Sequence, residues 1–430
     1  MKKVSFHTLG CKMNFSETAT LAREFEQGGF IKANQGQSAD ICVINSCSVT
    51  DHADKKCRNL IRKLHKDNPD AIIAVTGCYA QLKPEQISEI PGVDLVISNN
   101  DKNRLYKLVS DFTRTDRANI YPCEVDELTN FFSAFSSSER TRAFLKVQDG
   151  CDYRCSYCTI PNARGKSRNI PINQVITQAK EIAKMGQKEI VITGINTGDF
   201  GKTTGEKFID LLKALDEIEG IERYRISSIE PNLLSDEIID FCAKSSKFQP
   251  HFHIPLQNGS NNILALMRRR YTTEIFEQRI MAVKRAMRDV FIGIDVIVGF
   301  PGESDEGFDE MYNFLERIEP AYLHIFPYSE RANTPAIDFP GKVSPQKKQE
   351  RAKKLDELCK KLHNNFALSR LGSEATVLFE SRAKGGLITG FTENYLKVEV
   401  PYNKELINTL QRVKLNSITL SGNIIGEILK

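Results

Sequence analysis

Hydrophobic and polar positions divide the chain into stretches of different pattern. In residues 1–115, short apolar runs alternate with amphipathic segments of helical period. The apolar runs are KVSFHTL, DICVIN, AIIAVTG and VDLVIS, and segments such as SETATLAREFEQGG lie between them. Alternation at this spacing is typical of parallel strands joined by helices. The pattern therefore predicts an α/β unit with a doubly wound parallel sheet.

A second and longer alternation fills residues 143–369, after a polar stretch at 116–142 that we interpret as a linker. Its apolar runs are AFLKVQDG, EIVITG, YRISSIE, HFHIPLQNG, FIGIDVIVGF and AYLHIFPYS. Six strand–helix units in series predict a partial (β/α)6 barrel, which carries its chemistry at the carboxyl ends of the strands. A basic amphipathic segment, SPQKKQERAKKLDELCKK, closes this stretch, and its charges are typical of a solvated helix face.

The last stretch, residues 370–430, has short strand-like runs separated by glycine and asparagine. This pattern predicts a small antiparallel β-barrel. Barrels of this size often bind RNA through aromatic and basic side chains. Phe391, Tyr395 and Lys397 are candidates for such binding, although an alternating strand would also carry them for packing.

Composition and charge narrow the class of protein only slightly. The formal net charge of +4 permits a nucleic-acid partner without requiring one. We see no apolar signal-peptide region and no apolar run of about 18 residues, so we expect a cytoplasmic protein without a membrane segment. Eleven cysteines in a reducing compartment indicate metal binding or catalysis rather than disulfides.

The most informative cysteines follow the first strand of the predicted barrel, in the run GCDYRCSYC. Cys151, Cys155 and Cys158 can hold three corners of a four-iron cube and leave the fourth iron without a protein ligand. This Cys-x3-Cys-x2-Cys spacing, with Tyr157 inside it, resembles that of the radical S-adenosylmethionine (SAM) enzymes. Such a cluster would chelate SAM and reduce it to a 5′-deoxyadenosyl radical, chemistry that the cofactor supplies.

The remainder of a SAM site is expected on the neighbouring strand ends. Thr193, Gly194 and Asn196 offer a close backbone approach and polar groups for the methionyl amine. Ser228 and Glu230 could hold the ribose hydroxyls, although Glu230 could equally be a structural carboxylate.

Three strands of the first unit also end in a cysteine, at Cys11, Cys47 and Cys78. Because ligands gather outside the carboxyl ends of parallel strands, these thiols are predicted to converge on a metal rather than to be three unrelated buried residues. Three cysteines without a recurring histidine suit a second open cluster better than a closed zinc site. A second cluster could hold sulfur beside the radical site, which indicates sulfur insertion into a C–H bond.

Motifs along the whole chain resemble those of the radical SAM methylthiotransferases. The matching pieces are HTLGCKMN, NSCSVT, TGCYAQ, GCDYRCSYCTIPNARGKSR, HIPLQNGSNNILALMRRRY, DVIVGFPGE and GFTENYLKV. The resemblance implies an N-terminal methylthiotransferase domain at 1–115, a radical SAM core at 143–369 and a TRAM domain at 370–430. It also implies two 4Fe–4S clusters. Cys11, Cys47 and Cys78 would hold the auxiliary cluster, Cys151, Cys155 and Cys158 the SAM-cleaving one, and a methylthio group would be the product.

Within that family, TLGCKMN and TGINTGDFG look most like the MtaB type. The resemblance implies action on carbon 2 of N6-threonylcarbamoyladenosine, next to the anticodon in tRNA. The Met13–Asn14 pair also resembles the enzymes that act on N6-isopentenyladenosine, and a third branch modifies an aspartate of a ribosomal protein. Two alternatives outside the family are a zinc-dependent RNA-binding protein and a radical SAM enzyme of another class.

Basic residues favour RNA over a protein substrate. Lys12 follows Cys11 directly, and a basic run consists of Arg268, Arg269 and Arg270. Contacts of Lys and Arg with phosphates supply much of the affinity for nucleic acids. The partners that the resemblance implies are tRNA and an electron donor such as a flavodoxin or ferredoxin, and we expect the enzyme to be a monomer.

Overall fold

The first unit of the chain is a six-stranded parallel sheet. The computed structural model describes residues 1–34, 36–137 and 141–429. In spatial order the strands are Ile31–Lys32, Lys3–Thr8, Ile41–Ser46, Ile72–Gly77, Leu95–Ile97 and Asn119–Tyr121. The four strands predicted from apolar runs are confirmed. The two edge strands are only two and three residues long, and the last of them lies inside the stretch interpreted as a linker.

Helices cover both faces of this sheet. Alternate residues of the central strand enter separate cores, Ile44 on one side and Val43 on the other. This arrangement confirms a doubly wound sheet, in which strands are buried on both faces. The helix Asp51–Asp67 begins where the Thr50 hydroxyl accepts the Ala53 N–H, at 3.2 Å. The other helices are Lys12–Gln27, Cys78–Leu82, Pro84–Ser88 and Leu105–Ser110.

Six parallel strands form the second unit. They are Arg142–Lys146, Glu189–Thr193, Arg223–Ile226, His251–His253, Phe291–Val298 and Tyr322–Pro327. The first three pair as one sheet and the last three as another. A parallel bridge between Ser228 and His253 joins the two sheets into an open, curved array. The predicted partial barrel is confirmed, and a two-stranded ribbon, Gln148–Asp149 with Arg168–Asn169, extends its first strand.

Helices surround the outside of this partial barrel and bury the largest apolar core of the molecule. Their bounds are Ile160–Arg164, Ile172–Lys184, Phe208–Asp216, Asp236–Lys244, Asn261–Leu266, Thr273–Ala286, Asp305–Ile318 and Pro345–Leu368. The last of them is the predicted basic helix, which buries Leu355, Leu358 and Leu362 against the core. None of the helices in the described residues is long and apolar enough to span a membrane.

A closed five-stranded barrel forms the third unit, as predicted, but it is not wholly antiparallel, because Lys397–Pro401 pairs with Ile424–Ile428 in parallel. Its strands, in spatial order, are Glu374–Lys384, Leu387–Phe391, Lys397–Pro401, Ile424–Ile428 and Leu410–Ile418. Two buried arginines of the core attach it. Arg223 donates to the carbonyl oxygens of Phe391 and Thr376, and Arg225 donates to those of Thr392 and Glu393. The turn that follows Phe391 is therefore held against the partial barrel.

Candidate active site

The Cys151–Cys158 loop lines a cavity at the carboxyl ends of the barrel strands. This cavity has a volume of about 340 Å³ and is called the smaller cavity below, because a second and larger one adjoins it. It is lined by all three cysteines of the loop, by residues of the neighbouring strand ends, and by Val49 and Thr50 of the first unit. The Cys151 N–H donates to the carbonyl of Gly165 at 3.0 Å, which anchors the start of the loop. Three thiols thus share one cavity with room for a ligand.

Burial and nearby donors set the electrostatics of these thiols. Burial raises the pKa of Cys151 and of Cys158 to about 12. Both thiols are therefore protonated in the absence of a metal, and cluster binding would release their protons. The Tyr153 N–H lies 3.4 Å from the Cys151 sulfur, a hydrogen bond of the kind that tunes cluster potentials.

The Arg269 side chain forms part of the wall of the smaller cavity. Its side chain is 4% exposed, and it donates to the Cys155 sulfur at 3.1 Å while forming an ion pair with Glu230. A third donor, Nε, reaches the hydroxyl of Tyr271 at 3.1 Å. Arg269, predicted as an RNA contact, therefore has its guanidinium buried beside the cysteine loop, with Cys155 and Glu230 as partners. The ion pair also means that Glu230 has a cation beside it in the cavity wall.

The other predicted SAM residues divide into two groups. Tyr157, Asn196 and Ser228 line the smaller cavity together with Glu230. Thr193 and Gly194 lie outside its lining. The Thr193 hydroxyl donates to the Val191 carbonyl at 3.0 Å. A Cβ on Gly194 would come within 2.9 Å of the Gln148 amide oxygen, so this glycine permits close packing.

Asn196 provides a test of whether a polar ligand fits this cavity. Both amide atoms of its side chain are buried without a hydrogen-bond partner, and the residue is 2% exposed. Its backbone N–H is held by the Gln148 side-chain oxygen at 2.9 Å. Buried polar atoms normally have partners, so an unpaired amide facing a cavity indicates a ligand with polar groups. The amino and carboxylate groups of SAM suit that position.

The second set of cysteines meets at one rim of the first sheet, and two glycines explain how. A Cβ added to Gly10, which has φ of 111°, would lie 2.8 Å from the Cys47 Cβ. Gly77 has φ of 97°, and its Cβ would lie 2.4 Å from the carbonyl of Ser46. Only glycine permits these approaches without strain, and both bring neighbouring cysteine loops together. Burial raises the pKa of Cys47 and of Cys78, and neighbouring thiols add to it: Cys78 and Cys11 act on Cys47, and Cys11 acts on Cys78.

The spacing of the sulfurs argues against a mononuclear zinc site. Two thiolates on one tetrahedral zinc ion would lie about 3.8 Å apart, given a Zn–S distance of about 2.3 Å. In the described chain, the one set of three His, Cys, Asp or Glu ligand atoms within 4.8 Å of each other is His253, Asp295 and His324. Among the described residues, therefore, neither triad has all three sulfurs within 4.8 Å of one another. Three soft ligands that do not converge on a single ion suit a four-iron cube with one open iron.

A larger cavity, of about 560 Å³, adjoins the smaller one inside the partial barrel. Residues of all three units line it. The first unit contributes Cys11 and Lys12, and the C-terminal barrel contributes Phe391, Tyr395 and Lys397. These three barrel residues, predicted as RNA contacts, therefore line a cavity at the place where the C-terminal barrel meets the core. The lining from the core includes Arg142, Arg225, His251, His253 and His324.

The two cavities meet at a histidine–aspartate pair. His253 lines the larger cavity and Asp295 lines the smaller one, and His253 Nε2 lies 2.7 Å from Asp295 Oδ1. Our site prediction did not include Asp295. The signal was available, since Asp295 is the one charged residue in the apolar run FIGIDVIVGF.

The other two arginines of the predicted RNA-binding run lie at the surface. Arg268 and Arg270 are exposed, and the Arg270 guanidinium stacks 4.0 Å above the Tyr153 ring.

A buried ionic cluster joins the first unit to the core between the two triads. Arg164 Nη1 lies 3.0 Å from Glu17 Oε1 and 3.0 Å from Asp149 Oδ1. Arg164 Nη2 donates to the Asn14 side-chain oxygen at 2.6 Å. The Asn14 amide in turn donates to the carbonyls of Leu9 and Ser46, which precede Cys11 and Cys47. Sequence patterns did not indicate this cluster, which holds the auxiliary cysteine loops against the core.

Comparison with known proteins supports the same division of the chain. Residues 3–98 match the uncharacterized protein family UPF0004, and residues 145–315 match the radical SAM superfamily. The threonylcarbamoyladenosine tRNA methylthiotransferase MtaB of Bacillus subtilis is 40% identical, covering 96% of this chain and 94% of that protein. MtaB of Aquifex aeolicus is 39% identical, and the match covers 94% of this chain and 98% of that protein. A tRNA-2-methylthio-N6-dimethylallyladenosine synthase of Alkaliphilus oremlandii is 32% identical, and the match covers 99% of this chain and 93% of that protein.

Solved structures agree on the fold. The radical SAM methyltransferase TsrM of Kitasatospora setae superposes with a TM-score of 0.58 at 14% identity, covering 78% of this chain and 75% of TsrM. A partial parallel barrel whose first strand leads into a Cys-x3-Cys-x2-Cys loop defines a radical SAM enzyme. The near-complete coverage by relatives more than 30% identical identifies the particular family. The chain belongs to the radical SAM tRNA methylthiotransferases.

Proposed function

We propose that this enzyme adds a methylthio group to carbon 2 of N6-threonylcarbamoyladenosine, at the position that follows the anticodon in tRNA. The observation that carries the proposal is the presence of two cysteine triads beside adjoining cavities of one chain. The choice of adenosine follows the relatives, since identity reaches 40% with an MtaB protein and 32% with a dimethylallyladenosine synthase.

The six cysteines are proposed as cluster ligands. Cys151, Cys155 and Cys158 would hold the 4Fe–4S cluster of the smaller cavity, and Cys11, Cys47 and Cys78 the auxiliary one. When bound, the first cluster with SAM supplies a carbon-centred radical and the second supplies sulfur. The protein contributes position and a water-poor enclosure, as is usual for cofactor enzymes.

The chain's own residues would orient SAM in the smaller cavity. The unpaired Asn196 amide offers both a donor and an acceptor for its methionyl end. Ser228 and Glu230 lie where ribose hydroxyls could be bound, with Arg269 fixing the Glu230 carboxylate. Tyr157 packs edge-on against Phe300 at 6.2 Å between ring centres and closes the apolar side of the cavity.

The remaining assignments follow from the same function. Residues 1–115 would act as the methylthiotransferase domain, 143–369 as the radical SAM core and 370–430 as a TRAM domain. A tRNA substrate, a low-potential electron donor such as a flavodoxin or ferredoxin, a monomeric state and a cytoplasmic location are consistent with this activity.

Iron analysis tests the two-cluster arrangement. Protein reconstituted without oxygen should hold about eight irons, four per cluster. The triple variant Cys11→Ala, Cys47→Ala, Cys78→Ala should hold about four, still cleave SAM, and form no methylthio product. Cys42→Ala, a fully buried cysteine of the same sheet, is the matched control and should retain all the iron. A triple variant with full iron content would disprove the ligand assignment.

Mass spectrometry of tRNA nucleosides tests the substrate. Cells that lack the gene should lose the methylthio form of threonylcarbamoyladenosine and retain that of isopentenyladenosine. Restoration by the wild-type gene, and not by the triple variant, would link the loss to the auxiliary site. Loss of the isopentenyl product instead would assign the enzyme to the other branch of its family.

A further inference from the structure

The Lys, Arg, Asp and Glu side chains that line the larger cavity are all of one sign, positive. Its lining includes four cationic side chains, Lys12, Arg142, Arg225 and Lys397, and among the described residues that line it there is no aspartate or glutamate. Arg142 and Arg225 are each paired with a carboxylate outside the lining, at 2.7 and 2.8 Å. Lys12 and Lys397 have no carboxylate within 4.0 Å in the described part of the chain. Two ammonium groups are therefore available to an anionic ligand.

Aromatic rings lie beside these cations. The Phe391 and Tyr395 rings stack at 4.8 Å between centres, with 29° between their planes. Tyr395 also lies 4.7 Å from the His251 ring. The Nδ1 atom of His251 is buried without a hydrogen-bond partner, so the cavity offers a polar group to a ligand as well as flat apolar surfaces. Rings of this kind stack on nucleobases.

A planar, aromatic and anionic ligand satisfies all of these features. We propose that the larger cavity binds the carboxylate of the threonylcarbamoyl substituent through Lys12 and Lys397, with the Phe391–Tyr395 stack beside the base. This inference rests on the function proposed above and deepens it, because it names the residues that select the substrate. An isopentenyl substituent carries no charge and would leave both ammonium groups without a partner. Unpaired polar groups of this kind give strong discrimination.

RNA phosphate is the other source of negative charge that could occupy the site, and binding measurements separate the two. Three labelled anticodon stem–loops of one sequence would be compared, carrying threonylcarbamoyladenosine, its neutral methyl ester, or adenosine. Wild-type protein with both clusters should bind the carboxylate form about ten to one hundred times more tightly than the ester. Phosphates are common to all three RNAs and contribute nothing to this ratio.

The variants Lys397→Met and Lys12→Met should each reduce that ratio about tenfold or more, while binding of the ester and of unmodified RNA stays the same. Lys404→Met is the matched control, because Lys404 is exposed on the same barrel outside the cavity lining. Iron content and SAM cleavage would be measured first for each variant. Should Lys12→Met lose iron because it adjoins Cys11, Lys397→Met alone decides the outcome.

Two results would overturn the inference. Equal weakening for all three RNAs would mean that the lysines contact phosphate, and unchanged affinity for all three would mean that they contact neither anion. Both results are distinguishable from failure of the proposed function. If wild-type enzyme converts threonylcarbamoyladenosine while the variants keep the ratio, only the assignment of the lysines fails. If wild-type enzyme neither binds nor converts that RNA, the proposed function fails as well.

Discussion

Neutralising Glu17 should destabilise the protein far more than neutralising a surface carboxylate. Glu17 is 1% exposed and accepts from Lys146 Nζ at 2.9 Å and from Arg164 Nη1 at 3.0 Å. It also forms an ion pair with Lys102, which is itself 1% exposed and has no other ionic partner in the described residues. Burial alone would raise the pKa of Glu17, but Arg164, Lys102 and Lys146 hold it well below its usual value. The carboxylate is therefore charged in the folded protein.

The substitution Glu17→Gln keeps the shape of the side chain and removes its charge. Removing one partner of a buried ion pair costs about 3–5 kcal/mol, because the other charge remains buried. The entropy of unfolding is about 2.1 cal/mol/K per residue, or about 0.9 kcal/mol/K for a chain of this length. The melting temperature should therefore fall by about 3–6 °C.

Differential scanning calorimetry of the cluster-loaded protein at neutral pH measures this shift. Glu316→Gln is the matched control, since Glu316 pairs with Lys361 at 2.8 Å and both are largely exposed. A surface pair contributes at most about 1 kcal/mol, so the control should melt within about 1 °C of wild type. Adding Lys102→Met to Glu17→Gln should recover part of the lost melting temperature, because the buried ammonium group without a partner is then absent. Equal shifts for Glu17→Gln and Glu316→Gln would refute the reasoning.

Three further changes test other parts of the structure. Arg225→Met should speed tryptic cleavage between core and C-terminal barrel, because it removes two contacts between them, whereas the exposed Arg412→Met should not. Burial and Arg225 hold the pKa of His251 well below its usual value, so the unfolded state protonates first and stability falls below about pH 6.5. His251→Phe should make the fall of the melting temperature between about pH 7 and about pH 5.5 smaller than in wild type, while His7, His324 and His363, whose pKa values burial also lowers, retain the remainder. Arg269→Met should make the potential of the cluster that we propose Cys155 to bind more negative in an EPR-monitored titration, and an unchanged potential would contradict the role of its hydrogen bond.

Much of the fold could be predicted because parallel strands buried on both faces appear as continuous apolar runs. Runs such as DICVIN and EIVITG became the strands Ile41–Ser46 and Glu189–Thr193. The edge strand Ile31–Lys32 could not be found in this way, because it is exposed and only two residues long. Convergence of Cys11, Cys47 and Cys78 was predictable for a related reason, since the ends of parallel strands share one rim.

Side-chain direction was not predictable, and it decides most of the site. Arg269 has charged neighbours on both sides in sequence, yet it alone turns inward to Cys155 and Glu230. The polar residues at the start of the helix Lys12–Gln27, such as Asn14 and Glu17, are typical of a solvated first turn. Instead they are buried, because a second unit packs over them with Arg164. Such contacts depend on how two units dock, which no local pattern encodes.

Strand geometry explains why the two cavities lie end to end. Side chains two positions apart on a strand face the same side. On the strand Phe291–Val298, Phe291 and Gly293 line the larger cavity, and Asp295 and Ile297 line the smaller one. The boundary between the two cavities therefore lies between Gly293 and Asp295, which are two positions and about 6–7 Å apart along the strand.

The neighbouring strand repeats this division. His251 and His253 line the larger cavity, whereas Pro255 and Gln257, next along the chain, line the smaller one. The side-chain pair of His253 and Asp295 thus lies between the smaller cavity at the strand ends and the larger cavity deeper in the barrel. Because this boundary consists of side chains rather than a sheet or a helix, ligands on its two sides can come into contact. A reaction that carries a radical from one ligand to the other needs that proximity.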